Sequence, residues 1–224
     1  MKIKLDKHKI FFTSDTHYGH TNICRGVSNW RDADGNVPVK QTRDFKSLDH
    51  MNDVIVESIN SVVGENDILF HLGDFSFGGF DNIEEFRNRI ICKNIHLILG
   101  NHDHHIERNK GDIQRLFSSV NQYLRLSVSG YEFVLMHYPI SSWHNMNTGV
   151  IHLHGHVHLP RNKKLAQGKA MDVGVDGNGL MPYSLNEITR IMDKQPIAKL
   201  SLPQDHHEEK LSGNGGNKKG SSSF

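Results

Sequence analysis

Seventeen histidines in a chain of 224 residues are the first lead, because imidazole both ligates metals and moves protons near neutral pH. Several fall into short clusters with carboxylates and an amide: Asp15-Thr16-His17, Gly73-Asp74, Gly100-Asn101-His102-Asp103, His137, and Gly155-His156-Val157-His158. Carboxylate oxygen, imidazole nitrogen and amide oxygen together suit first-row divalent metals such as Mn, Fe, Zn or Ni. Asp15, His17, Asp74, Asn101, His137, His156 and His158 are too many donors for one four-coordinate ion, so two ions are inferred. Alone, each cluster is weak: Asp-x-His pairs are common, and Gly-Asp is mostly turn chemistry. The weight lies in their joint occurrence, each at the end of an apolar run.

Those runs must position the donors. Ile10 to Thr13, Ile68 to Leu72, Ile95 to Leu99, Phe133 to Met136 and Val150 to Leu153 have the length and composition of strands. Between them, Phe45 to Val63 carries Leu48, Met51, Val54, Ile55, Ile59, Val62 and Val63 at helical spacing, with Gly64 as a stop. Ile83 to Ile91 and Ile113 to Phe117 read as shorter helices, and Ser184 with Glu187 as a capping box that opens a last one. Alternation of strands and helices predicts a layered α/β fold. In such a sheet, neighbouring parallel strands bring their ends to one rim, where ligands bind.

Composition narrows the function classes. Net charge is +1, from 26 basic and 25 acidic side chains, which is no electrostatic footprint for a dedicated DNA-binding protein. No run approaches the roughly 20 apolar residues of a membrane helix, and the first residues lack a signal-peptide pattern. Cys24 and Cys92 read as reduced, buried thiols of a cytoplasmic protein. Residues 1–202 are expected to form one domain. Residues 203–224, a Gly/Asn/Lys/Ser run with almost no apolar side chain, are expected to be a disordered tail.

The ordered set Asp-x-His, Gly-Asp, Gly-Asn-His-Asp, His and Gly-His-x-His resembles the signature of calcineurin-like metallophosphoesterases over roughly residues 9 to 190. Ser14 to Ile23, Leu72 to Gly78 and Val173 to Gly179 look like a compact bacterial and phage subgroup of predicted phosphoesterases. The resemblance implies a four-layer α-β-β-α sandwich of two mixed β-sheets flanked by helices. It also implies a first metal on Asp15, His17, Asp74 and His158, and a second on Asp74, Asn101, His137 and His156, with Mn²⁺ the favoured ion. His102, held by Asp103, would be the general acid and face the substrate with Asn101, while a hydroxide bridging the ions attacks phosphorus in line. Protein phosphatases of the family carry arginines beside these motifs; Asp74 to Gly79 and Ile98 to Asn101 contain none. A small phosphorylated, nucleotide-like diester is therefore favoured over a phosphoprotein. Nuclease and phosphomonoesterase activities are the alternatives, with nucleic acid a less favoured partner, and a metal-free scaffold is the reading from another class.

Other residues carry weaker expectations. His20 and Asn22 are candidates to line the substrate pocket or to cap the segment that follows. His104 and His105 read as a solvated loop. Trp143 either stacks on a base or closes the core. His152 and His154 share the strand face of His156 and His158 by alternation, and either support the donors from behind or are simply buried and hydrogen-bonded. Asp172 and Asp176 read as turn residues, and His206-His207 as a weak metal binder without catalytic meaning.

Overall fold

The computed structural model describes residues 1–3, 9–24, 34–35, 43–159 and 163–198. The expected tail and its His206-His207 pair lie outside the described residues. In chain order the strands are β1 (Lys2–Ile3), β2 (Ile10–Thr13), β3 (Ile68–His71), β4 (Asn94–Ile98), β5 (Ser119–Asn121), β6 (Tyr123–Val128), β7 (Tyr131–Met136), β8 (Ile151–His154), β9 (Ala170–Asp172) and β10 (Tyr183–Ser184). The α-helices are α1 (Leu48–Val62), α2 (Phe80–Arg89), α3 (His104–Glu107) and α4 (Leu185–Met192).

The strands form two five-stranded mixed sheets. One runs β10-β2-β3-β4-β5, parallel except for β10; the other runs β1-β6-β7-β8-β9, with β6 and β7 antiparallel. The side-chain alternation of each strand decides what it faces. Phe11, Leu69, Ile95 and Leu97 turn outward to meet Met51, Ile55 and Ile59 of α1 and Ile83 and Phe86 of α2. Ile10, Phe12, Phe70 and Ile98 turn inward and meet Phe133, Leu135, Ile151 and Leu153 of the second sheet. Phe12 is fully buried, with ring centroids 5.3 Å from Phe70 and 5.7 Å from Phe133, so it links the two sheets. Truncating such a side chain costs about 3–5 kcal/mol.

Local signals set the helix ends. The Ser47 hydroxyl accepts from the His50 amide at 3.1 Å and opens α1. Ser184 and Glu187 form the expected capping box of α4. The two mixed sheets with flanking helices are as anticipated, and the layering differs in detail. Among the described residues, the outer face of the second sheet is covered by loop residues Trp143, Met146 and Ala198. Leu185, Ile188 and Met192 of α4 join the inter-sheet core instead. The expected helix at Ile113 to Phe117 is a 3-10 segment, Lys110–Leu116, broken by left-handed backbone at Gly111 and Asp112. Cys24 and Cys92 are free and buried. No described helix is long and apolar enough to cross a membrane.

Candidate metal centre

The ends of β2, β3 and β4 in one sheet and of β7 and β8 in the other meet at a common rim, cross-linked through the backbone. The Asp15 amide donates to Gly73 O at 2.9 Å, His17 to Asp74 O at 3.0 Å, and Gly155 to His137 O at 2.9 Å. Leaving their strands, Asp15 (φ 56°), His17 (50°), Asp74 (53°), His156 (72°) and His158 (50°) all adopt left-handed backbone. That region is sparsely used by non-glycine residues, although Asp and His tolerate it better than most. It re-aims each side chain from the sheet into the rim. The chain segments also approach closely. A Cβ on Gly100 would overlap the Asp74 carboxylate, and one on Gly155 would overlap Ser14 and the Asp15 carboxylate.

Two groups of donors result. His17 Nε2 and His158 Nε2 face each other at 3.2 Å, with Asp15 Oδ1 at 3.9 and 3.7 Å from them. Asn101 Oδ1 lies 3.1 Å from His137 Nε2 and 2.9 Å from His156 Nδ1. Asp74 Oδ2 stands between the groups, 3.5 Å from both His17 Nε2 and His137 Nε2. Asp15, His17 and His158 form one compact set able to hold an ion, and Asp74, His137 and His156 another. A further grouping, His17, Asp74 and His102, shares His17 with the first set and Asp74 with the second.

The outer ring nitrogens decide how the inner ones behave. His137 Nδ1 donates to Leu72 O at 2.7 Å, and His158 Nδ1 donates to Asp176 Oδ2 at 2.6 Å. A neutral imidazole donating from Nδ1 keeps its lone pair on Nε2. His17 Nδ1 is paired with His20 Nδ1 at 3.2 Å. The inward-facing Nε2 atoms of His17 and His158 are close enough to share one cation. Their 3.2 Å separation is close to the edge of a tetrahedron built on metal–nitrogen bonds of roughly 2.0–2.1 Å, about 3.3 Å. The donor set therefore fits metal.

The electrostatics agree. Burial pushes the Asp15 carboxyl up to about 7 against the pull of His158 and His137, a cost that a neighbouring cation removes. Burial likewise raises Asp74, but its surroundings, the hydrogen bond from the His102 amide among them, outweigh burial and hold the group below the ordinary carboxylate range. Burial keeps His17 neutral, the ligating form.

A match to the calcineurin-like phosphoesterase family spans residues 8–175. The chain belongs to that family. It is 26% identical over 200 residues to an uncharacterized protein of Methanocaldococcus jannaschii, covering 87% of this chain and 97% of that one. It is 31% identical over 175 residues to the Gene 66 protein of Mycobacterium phage D29, covering 66% and 78%. A crystal structure of an Aquifex aeolicus protein of unknown function shares the fold, at a TM-score of 0.61 and 23% identity over 83% of this chain and all of that one. As a calcineurin-like phosphoesterase, the chain is a phosphoric ester hydrolase of a family that uses divalent metals.

Within this phosphoesterase, Asp15, His17, Asp74, Asn101, His137, His156 and His158 lie together at the rim. Asp103 does not hold His102. Its carboxylate accepts the backbone amides of Asp74 (2.8 Å), Phe75 (2.9 Å) and Gly100 (2.8 Å), and so ties two ligand-bearing turns together. The His102 amide donates to Asp74 Oδ1 at 2.9 Å, and its ring packs beside His17, His20 and Phe77 at 5.3, 5.6 and 5.4 Å. His20 stacks on Phe77 at 4.1 Å and backs His17. Asn22 is exposed on the 3-10 turn Thr21–Ile23, and no described contact ties it to the metal donors.

The weaker expectations divide. His156 and His158 lie beyond the end of β8, so they do not share a strand face with His152 and His154. His152 is buried and donates to Val134 O at 3.2 Å, while its other nitrogen accepts the Ile140 amide at 3.4 Å. Trp143 closes the core and donates to Val150 O at 2.8 Å. His104 and His105 open α3 and are not in a loop.

Composition and motif spacing missed two features. Exposed rings flank the centre on opposite sides: Phe77 beside His20 and His102, and Tyr138 beside His137 and His156 at 5.0 and 4.9 Å. Arg43, almost fully buried, binds Asp176 behind His158.

Proposed function

We propose that the chain hydrolyses a phosphodiester of a small, nucleotide-like substrate at a two-metal centre, by in-line attack of water. The observation that carries this reading is Asp74, whose Oδ2 is equidistant from His17 Nε2 and His137 Nε2 and so joins two donor sets. The first ion would be held by Asp15, His17, Asp74 and His158, and the second by Asp74, Asn101, His137 and His156. When bound, two divalent cations, Mn²⁺ by preference, activate water at neutral pH and offset phosphoryl charge.

The chain's own side chains do the rest. The Asn101 amide, exposed at the rim, is placed to meet a phosphoryl oxygen. The His102 ring, partly exposed at the mouth and steadied by Phe77 and His17, delivers a proton to the leaving oxygen. The stretches beside two ligand motifs, Asp74 to Gly79 and Ile98 to Asn101, carry no arginine, and Arg43 is bound to Asp176; this supports a singly charged diester over a dianionic monoester. Phe77 and Tyr138, 37% and 39% exposed, offer faces for a base on either side of the metals.

The test is hydrolysis of bis-p-nitrophenyl phosphate and p-nitrophenyl phosphate with Mn²⁺ restored to metal-stripped protein, followed by dinucleotide substrates. The diester is expected to be cleaved faster. Tyr138→Ala is expected to raise KM for a dinucleotide by about tenfold, as loss of one stacked base does, with little change for the nitrophenyl ester; Phe77→Ala is expected to raise KM similarly and, by freeing the His102 ring, to lower kcat as well. A faster monoester would move the assignment to a phosphomonoesterase.

A further inference from the structure

Asp176 and Arg43 lie outside every motif that marks the metal donors, yet they bind the centre from behind. Asp176 Oδ2 accepts from His158 Nδ1 at 2.6 Å. Arg43 Nε donates to Asp176 Oδ1 at 2.8 Å, and one terminal nitrogen donates to Asp176 Oδ2 at 3.0 Å. The same guanidinium donates to Thr16 O at 2.7 Å and to Asp15 O at 2.5 Å. One buried cation thus joins the turn that carries Asp15 and His17 to the carboxylate that orients His158. These acceptors of the guanidinium all belong to the first metal's side. On the second side, His137 is oriented by a backbone carbonyl, Leu72 O, which no side-chain substitution removes.

We infer that Arg43 and Asp176 are positioning residues for the first metal site alone: Asp176 fixes the tautomer and direction of His158, and Arg43 locks Asp176 to the Asp15–His17 backbone. A carboxylate behind a ligating imidazole fixes which nitrogen faces the metal and raises its basicity. The arginine keeps that carboxylate ionised and in place, and its planar fork spans both chain segments where a lysine could reach only one at a time. The two sites therefore differ in what stands behind a ligating imidazole: a replaceable side-chain relay behind His158 and a main-chain carbonyl behind His137.

This inference rests on the two-metal reading, and the wild type separates the two. Metal-stripped wild type, Asp176→Asn and Arg43→Lys are titrated with Mn²⁺, reading stoichiometry by calorimetry and the ions by electron paramagnetic resonance. Wild type is expected to bind two ions and to give a spin-coupled signal; one ion or none there would sink the two-metal reading itself. Asp176→Asn is expected to lose 10- to 100-fold in affinity at one site. At limiting Mn²⁺ it should show an uncoupled, mononuclear spectrum, with the second affinity unchanged. Arg43→Lys should weaken the same site, and it carries the test if Asp176→Asn does not fold by circular dichroism. Two ions bound with wild-type affinities and coupling in folded variants would overturn the inference, as would equal weakening of both sites.

Discussion

Asp74 is the pivot of the centre at the scale of single residues. One oxygen faces both donor sets and the other accepts the His102 amide at 2.9 Å, so one carboxylate connects both donor sets to the proposed acid. His102 can then be told from a ligand by what its loss changes. His102→Ala is expected to lower kcat by about 10² to 10⁴ while two equivalents of metal remain by elemental analysis; loss of an ion in parallel would make it a ligand. The candidate donors are legible because each motif is local in sequence. Asp176 is not: it sits in the turn Val175–Asn178, whose composition is explained by turn chemistry, and its partner Arg43 is 133 positions away. Asp103 was misjudged for the opposite reason, since adjacency to His102 suggested a pair that the fold does not make.

Turns, more than strands, are the working elements. The apolar runs of β2, β3, β4, β7 and β8 could be read directly, because strands buried on both faces are continuously apolar. Short strands such as β9 and β10 have too few residues to show a period, and the 3-10 segment Lys110–Leu116 mimics a helix in pattern while Gly111 breaks it. How the Gly73-Asp74 and Gly100-Asn101 turns are joined shows only in three dimensions, through Asp103. Asp103→Ala would leave the buried amides of Asp74 and Phe75 and the half-buried amide of Gly100 without their acceptor, each buried one worth about 1–3 kcal/mol. A loss of roughly 3–5 kcal/mol in urea unfolding is expected, together with weaker metal binding. Full stability with only kcat reduced would restore Asp103 to a role beside His102.

At the scale of the whole molecule, buried titratable groups link stability to pH and to metal. Burial lowers His152 to about 4 and His71 to about 3, so both are neutral in the fold. Between about 4 and 6.5 the unfolded chain binds the His152 proton and the folded chain does not, so this contribution is full above 6.5 and lost as pH falls. Asp15 and Asp103, pushed up to about 7 and about 6 by burial, act in the opposite sense: their folded forms hold protons, and stability falls as pH rises through those values. The informative quantity is thus the difference between wild type and His152→Gln in metal-stripped protein. Wild type is expected to lose on the order of 2 to 3 kcal/mol relative to the variant between pH 7 and 4.5. A constant difference would show that His152 is not the group responsible.

The most direct single measurement is the rate of bis-p-nitrophenyl phosphate hydrolysis as metal-stripped protein is titrated with Mn²⁺, wild type beside Asp74→Asn. The expected result is a rate that rises to its plateau only as the second equivalent binds, with Asp74→Asn retaining at most one ion and almost no turnover. Full activity without added metal, or two ions and undiminished turnover in Asp74→Asn, would contradict a centre in which Asp74 joins two metals.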